Sequence, residues 1–193
     1  GRLSLVLSRG QQINRILVIE PTTSAWLYYS PAEKNEKFDK IAVDFQNFVH
    51  QLEREQIEYD LGSELVLKDH GQLTGRKLQV GERAYDLVVL PPGLENLEAS
   101  TAGLLKNFLK SGGKVVSWGE TELLLDGKPS SLGEEFRSEG NFEQFEPASF
   151  SAERLAEVFS ARIKPAIEFS QLSGQEMLFH QRRQYKDGQI LFL

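Results

Sequence analysis

Cysteine is absent from the 193-residue sequence. Its absence excludes disulfides, thiolate metal sites and cysteine nucleophiles, and it leaves the redox compartment undecided. The three histidines, His50, His70 and His180, are far apart in the sequence and form neither an H-x-x-x-H nor an H-E-x-x-H pattern. Such spacings are what a zinc site requires, so we expect neither a bound metal nor another cofactor.

Long apolar runs and an excess of positive charge are also lacking. No apolar run approaches the roughly 20 residues that a membrane-spanning helix needs. The net charge is −6, which argues against a nucleic acid or an anionic membrane as partner. The composition, 40% hydrophobic and 26% charged, is that of an ordinary globular domain. The chain begins at Gly1 without an initiator methionine, which favours an excised fragment.

Short apolar runs are the strongest positive signal. They are rich in β-branched residues and too short for helices, so they predict strands buried on both faces of a parallel sheet. These runs cover residues 15–20, 86–90 and 114–118. Apolar residues at three- and four-residue spacing predict helices at 38–56 and 100–111 between them. Alternating strands and helices predict an α/β fold with right-handed crossovers.

Several weaker patterns complete this outline. Ser100 is the expected N-cap of the second helix and Gly112 its C-terminal stop. Residues 120–150 are rich in Gly, Ser, Pro and Glu and are expected to run irregularly over the surface. The remaining elements are a helix end at 2–8, a weak strand at 58–60, half a hairpin at 78–81, a helix at 151–159, a strand at 166–169 and a β-hairpin formed by 176–185 and 189–193.

Carboxylates are the first candidates for a functional site. Glu20 and Glu120 follow different predicted parallel strands, so both are expected at the C-terminal edge where such sheets bind ligands. They are therefore the best candidates for an active pair of acids. Paired acids in a chain this acidic are also often only solvated. Ser117 lacks the glycines of a nucleophile elbow and is expected to be an ordinary strand residue.

The loop after the first strand carries the other candidates. Trp26, Tyr28 and Tyr29 form an aromatic cluster that is able to stack on a sugar, or to pack in the core or on a neighbouring domain. Residues 22–24 carry hydroxyls that are able to hold a small phosphate. However, the loop has no glycine to let its backbone approach one, so an ordinary capped loop is the favoured interpretation.

A family resemblance extends over most of the chain. It is carried by residues 2–4 with Gly10, 14–21, 85–91, 105–116, 180–183 and 187–193. These segments resemble the glutamine-amidotransferase-like domain that follows the catalytic barrel in large bacterial glycoside hydrolases. The nearest match is glycoside hydrolase family 106, the α-L-rhamnosidase type; family 42 β-galactosidases carry a related domain.

The resemblance implies a three-layer, flavodoxin-like or class I glutamine-amidotransferase-like parallel sheet with a C-terminal β-hairpin. Residues 1–13 would end a preceding linker helix, 14–165 would form the α/β domain, and 166–193 would lead into a β-sandwich. True amidotransferases of this fold use a Cys-His-Glu triad. Here residues 117–120 occupy the position of the cysteine elbow, and the chain has no cysteine, so that chemistry is excluded.

In the resembling hydrolases the catalytic acids lie on the barrel. The resemblance therefore implies a non-catalytic structural or assembly domain of a multidomain glycoside hydrolase acting on plant or bacterial polysaccharide. Its partners would be the catalytic barrel and the β-sandwich of the same parent chain, in the periplasm or outside the cell. Two alternatives stay open: a carbohydrate-binding module that uses Trp26, Tyr28 and Tyr29, and a free-standing hydrolase.

Overall fold

The structure is a computed structural model that describes residues 4, 8–164, 167 and 178–193. The predicted helix end at 2–8 lies outside the described residues apart from Ser4 and Ser8, between which one helical hydrogen bond of 3.0 Å forms. The predicted strand at 166–169 also lies outside them apart from Ile167.

The described elements alternate between strands and helices along most of the chain. The strands are β1 Gln11–Gln12, β2 Ile16–Ile19, β3 Tyr59–Gly62, β4 Gly71–Thr74, β5 Lys77–Val80, β6 Arg83–Tyr85, β7 Leu87–Leu90, β8 Asn96–Leu97, β9 Lys114–Ser117, β10 Leu124–Leu125, β11 Lys128–Pro129, β12 Phe142–Gln144, β13 Gln181–Tyr185 and β14 Gly188–Phe192. The helices are α1 Thr22–Trp26, α2 Glu36–Arg54, α3 Glu64–His70, α4 Ala99–Lys110, α5 Leu132–Arg137 and α6 Ala152–Ser160.

A five-stranded parallel sheet forms the centre, in the spatial order β12-β9-β7-β2-β3. Numbered by their order along the chain, its strands therefore lie in the order 2-1-3-4-5. The three apolar runs form its inner strands β2, β7 and β9, as predicted. All residues of β2 and β7 are buried, which is why they lack the polar alternation of a half-exposed strand. The weak second strand is confirmed as β3, at one edge.

Helices cover both faces of this sheet. Leu17 and Val88 point to one face, where they pack with residues of α3, α4 and α5. Val18 and Val89 point to the other face and pack against α2 and α6. The opposite directions follow from the two-residue period of a strand. The central layer is thus buried between two helical layers.

Two local predictions need correction. Helix α4 begins at Ala99 with Glu98 in the N-cap position, so Ser100 lies inside the first turn. Residues 120–150 form β10, β11, α5 and β12 rather than an irregular surface segment, and they bury Phe136 and Phe142. Gly112 has φ 89° and is confirmed as the stop of α4, since glycine adopts this left-handed conformation without steric cost.

Smaller antiparallel units surround the core. The half-hairpin at 78–81 belongs to the sheet β4-β5-β6. The C-terminal hairpin is confirmed as β13 and β14, and β1 pairs with β13 as a third strand. No helix within the described ranges is long and apolar enough to cross a membrane.

Candidate functional site

The C-terminal edge of the parallel sheet holds the candidate site. The chain leaves β2 toward β3 on one side and later returns to β7 on the other side of β2. Crossovers of opposite direction open a crevice at this edge, which is where doubly wound sheets bind ligands. The segments after β2, β7 and β9 all reach this edge.

A hydrogen-bonded group of three side chains lies there. Lys37 Nζ lies 2.6 Å from Glu95 Oε2 and 2.6 Å from the Tyr28 hydroxyl oxygen, donating to both. The ammonium group also lies 4.3 Å from the centre of the Tyr28 ring, within the range of a cation–π contact. We call Tyr28, Lys37 and Glu95 the edge triad.

Each member of the edge triad is positioned by a local structural feature. Lys37 is in the first turn of α2, whose N-cap Asn35 accepts a 2.9 Å hydrogen bond from the Lys37 amide. The Glu95 amide donates to Ser24 Oγ at 3.0 Å. Gly93, with φ 80°, turns the chain after β7 so that Glu95 returns to the sheet edge.

Glu95 has an unusual environment for a carboxylate. Only 7% of its surface is exposed. One oxygen, Oε2, accepts from Lys37, but the buried Oε1 has no hydrogen-bond partner within the part of the chain that the structure describes. A buried carboxylate oxygen without a donor is costly. Glu95 thus offers an acceptor that a ligand hydroxyl or a water molecule is able to satisfy.

The triad also changes the acid–base behaviour of Lys37. Burial works to lower the pKa of Lys37, but its hydrogen bonds and attraction to Glu95 and Tyr28 outweigh this, so the pKa lies above its ordinary value. The amine is therefore held in its charged form. A protonated lysine acts here as a hydrogen-bond donor and not as a base or nucleophile.

Two clefts meet at the edge triad. The first has a volume of about 660 Å³ and the second about 840 Å³, and both are lined by Lys37, Glu95 and Glu120. Such volumes are typical of small-molecule sites. Tyr28 lines the larger cleft, so the structure brings the predicted Tyr28 and Glu120 together in one place.

The other predicted residues lie elsewhere on this side of the molecule. Glu20 and Trp26 line a groove of about 250 Å³ between α1 and α2. Tyr29 lines a shallow pocket of about 270 Å³, with its ring centre 5.8 Å from that of Phe38. Trp26 is 67% exposed and Tyr29 62% exposed, so neither is a core residue of this domain.

Among the clefts formed by the described residues, Glu20 and Glu120 line different ones. Glu20 follows β2 and Glu120 follows β9, and β7 lies between these strands, which separates their axes by about 10 Å. The acid that follows the intervening strand is Glu95. Glu95 and Glu120 both line the two clefts at the edge triad.

The hydroxyls near this edge are engaged within the protein. Ser24 Oγ accepts from the amides of Glu95 and Asn96 at 3.0 Å each, and Thr23 donates to the carboxylate of Glu64. Ser117 is fully buried in β9, where its Oγ accepts from the Gly119 amide at 3.2 Å. These contacts favour a structural role for the three hydroxyls over a phosphate site or a nucleophile.

Lys37 and Glu95 are the site residues that the sequence interpretation did not select. Glu95 comes shortly after a predicted strand, as Glu20 and Glu120 do. This position is the only feature of the sequence that marks Glu95 as a candidate site residue. Among the described residues, no group of three or more His, Asp or Glu side chains is arranged to hold a metal ion.

Comparison with known proteins gives no match. The chain matches no family model, and neither the curated proteins nor the solved structures yield a match. Any functional assignment therefore depends on the residues and the geometry described above.

Proposed function

We propose that this chain is a non-catalytic accessory domain of a multidomain glycoside hydrolase, with a structural or assembly role. The proposal starts from the family resemblance of its sequence segments. The proposal also assigns the chain a flavodoxin-like fold. It places the chain, together with its parent enzyme, in the periplasm or outside the cell. The partners would be the catalytic barrel and the β-sandwich of the parent chain.

The strand order supports the finer fold assignment. The order 2-1-3-4-5 of the parallel sheet is the order of flavodoxin-like doubly wound folds. Helices on both faces and a crevice beside the first strand agree with the same class. The fold alone carries no function, because one such architecture hosts many unrelated activities.

The main support for the accessory role is that the polar groups at the C-terminal edge are bonded to other groups of the protein. Thr23 and Ser24 bond to neighbouring segments and Ser117 is buried. Lys37 is held charged by Glu95 and Tyr28. These groups are engaged in holding the loops together, whereas an activated nucleophile needs an adjacent base and access to substrate.

Exposed apolar side chains support contact with another domain. Phe179, Ile190, Leu191 and Leu193 are exposed on or beside the C-terminal hairpin. Exposed apolar side chains at this density are typical of a segment that another domain or chain covers. Leu3, Leu5 and Val6, the apolar residues near the other end of the sequence, lie outside the described residues.

Carbohydrate binding is the second candidate function, and it is supported by the exposure of the aromatic side chains at the end of α1 and directly after it. Trp26 and Tyr29 present most of their surface to solvent, and Tyr28 lines the larger cleft. Aromatic faces stack on the apolar faces of sugars, and exposed large aromatic side chains mark interaction sites.

A hydrolysis assay tests the accessory role. The purified chain is incubated with aryl-rhamnosides, aryl-galactosides and glutamine, and product release is measured. We expect no turnover above background. Turnover that disappears in a Glu20→Gln or Glu120→Gln variant would instead support a free-standing hydrolase and contradict the proposal.

A further inference from the structure

We infer that the two clefts at the edge triad form one binding site for a neutral saccharide, with Glu95 as its central acceptor. This inference rests on the second candidate function, carbohydrate binding. It places the ligand against Tyr28, Lys37 and Glu95 rather than on the exposed Trp26 and Tyr29, and it specifies the charge of the ligand.

The first argument is the unpaired oxygen of Glu95. Lys37 satisfies Oε2, but Oε1 is buried with no partner in the described residues, in a side chain that is more than nine-tenths buried. Glu95 lines both clefts. A donor that enters from either cleft removes the cost of this unsatisfied acceptor, and a bond to a charged acceptor is stronger than one between neutral groups.

The second argument is the donor beside this acceptor. The Tyr28 oxygen accepts from Lys37 Nζ, so the hydroxyl hydrogen of Tyr28 remains available for a ligand oxygen. A sugar hydroxyl is both a donor and an acceptor. One hydroxyl, or two adjacent ones, thus matches the carboxylate oxygen of Glu95 and the phenol of Tyr28 together.

The third argument is charge. Acidic side chains outnumber basic ones along the two clefts; the acids are Glu36, Asp44, Glu95, Glu120, Glu122 and Glu134, against Lys37, Lys40 and Arg137. The two lysines are paired with Glu95 and Asp44. A negative cleft repels phosphates and uronates, so neutral saccharides fit it better than anionic ones.

The fourth argument is the mixed character of the smaller cleft. Ile41, Pro147 and Phe150 line this cleft together with its charged groups. A saccharide presents hydroxyls at its edge and C–H groups on its faces. Apolar walls with a few convergent polar groups are the usual composition of a small-molecule site.

A titration followed by NMR tests the inference on the full chain labelled with ¹⁵N. The probes are neutral gluco-, galacto- and rhamno-oligosaccharides, with oligogalacturonate as the anionic comparison. We expect at least one neutral series to shift the amide signals of Gly93, Glu95 and Glu120 in a saturable way. Oligogalacturonate is expected to bind more weakly than the neutral series.

Substitutions test whether the saccharide binds at the edge triad. Glu95→Gln is expected to raise the dissociation constant about tenfold or more, because the charged acceptor is lost. Tyr28→Phe removes only the hydroxyl of a half-exposed ring, so it keeps the fold, and is expected to weaken binding several-fold. Glu135→Gln, which removes an exposed carboxylate paired with Lys106 away from the clefts, is the matched control and is expected to bind as the parent chain does.

Several results would overturn the inference. They are the absence of saturable shifts with every neutral series, tighter binding of oligogalacturonate, and unchanged affinity in both the Glu95→Gln and Tyr28→Phe variants. Shifts confined to Trp26 and Tyr29 would also contradict it while leaving carbohydrate binding intact. The hydrolysis assay addresses the accessory role separately, so the two proposals fail in distinguishable ways.

Discussion

The guanidinium group of Arg182 donates two hydrogen bonds to the carboxylate of Glu58, from Nε to Oε1 at 3.0 Å and from Nη2 to Oε2 at 2.8 Å. Arg182 belongs to β13 of the C-terminal hairpin, and Glu58 directly precedes the edge strand β3. Both side chains are largely shielded from water. A bidentate pair of this kind is stronger and more directional than a single ion pair. It attaches the hairpin to the α/β core.

Replacing Arg182 by Gln should therefore destabilise the protein. The change leaves the Glu58 carboxylate partly buried without its guanidinium partner, and we expect the free energy of unfolding to fall by about 2 kcal/mol. Urea titration measures the loss. The matched control is Lys40→Gln, which breaks an exposed pair with Asp44 within α2 and is expected to cost about 0.5 kcal/mol or less. Equal losses in the two variants would show that the Arg182 pair contributes no more to stability than an exposed ion pair does.

The two tryptophans should respond to substitution in opposite ways. Trp118 is fully buried, and its ring centre lies 4.8 Å from that of Phe145 in a stacked arrangement. Trp118→Ala is expected to cost about 3–5 kcal/mol of unfolding free energy, whereas Trp26→Ala, at an exposed site, should change it by less than about 0.5 kcal/mol. Thermal or chemical unfolding measures both. A large loss from Trp26→Ala would mean that the loop packs as core and would remove the main support for sugar stacking on it.

The inner strands were predictable from sequence because burial on both faces makes them continuous apolar runs. Residues 120–150 were not. Their strands have two or three residues and their helix has six, so no element is long enough to show a hydrophobic period. Phe136 and Phe142 belong to the core on one face of the sheet, with their ring centres 5.5 Å apart, and composition does not reveal this contact.

The site was predictable only in its location. Parallel topology brings the ends of β2, β7 and β9 to one edge, so Glu20 and Glu120 were correctly expected there. Which acid faces which cleft depends on the turn at Gly93 and on the start of α2. Lys37 and Glu95 are 58 residues apart, and a pattern of local spacing cannot pair residues at that separation.

Glu64 should make stability depend on pH. It is only 3% exposed, and its carboxylate accepts hydrogen bonds from the Glu98 amide at 2.7 Å and from Thr23. Burial raises the pKa of Glu64 despite the bonds it accepts. The folded state therefore holds the proton to a higher pH than the unfolded chain does. The stabilising contribution of this group is full below the unfolded pKa of about 4.3 and is lost as pH rises from there through the folded pKa.

Glu64→Gln removes that titration. We expect the difference in unfolding free energy between the variant and the parent chain to shift in favour of the variant as pH rises above about 4.3. Denaturant titrations across the acid-to-neutral range measure this difference. A difference that does not change with pH would contradict the raised pKa of Glu64.

Two glycines next to the core should differ in their tolerance of a methyl group. Gly103 lies inside α4, where an added Cβ meets no atom within 4 Å, whereas a Cβ at Gly113 would lie 2.2 Å from Cε2 of Phe108. Gly103→Ala is expected to stabilise the protein by about 0.5–1 kcal/mol, because alanine is the better helix former. Gly113→Ala should destabilise it by about 1–3 kcal/mol through overpacking. The midpoints of thermal unfolding should move in opposite directions, and movement in the same direction would contradict this packing.

The last prediction concerns the apolar edge strand β14. It is at the outside of the described sheet β1-β13-β14, and its residues Gly188–Phe192 carry no charge. Ile190 and Leu191 are exposed along it, and Leu193 beyond it is 75% exposed. Natural edge strands usually carry a charge or a proline that blocks pairing with a second chain. We therefore expect the purified chain to self-associate through this strand.

Light scattering at increasing protein concentration measures this association. Ile190→Lys places a charge in the middle of the edge, as protected edge strands do, and is expected to make the chain monomeric. Val43→Lys is the control, because Val43 is also apolar and exposed but lies on α2, where the backbone groups are bonded within the helix. We expect it to leave association unchanged. A parent chain that stays strictly monomeric, or equal effects of the two lysine variants, would show that β14 is not an interaction edge.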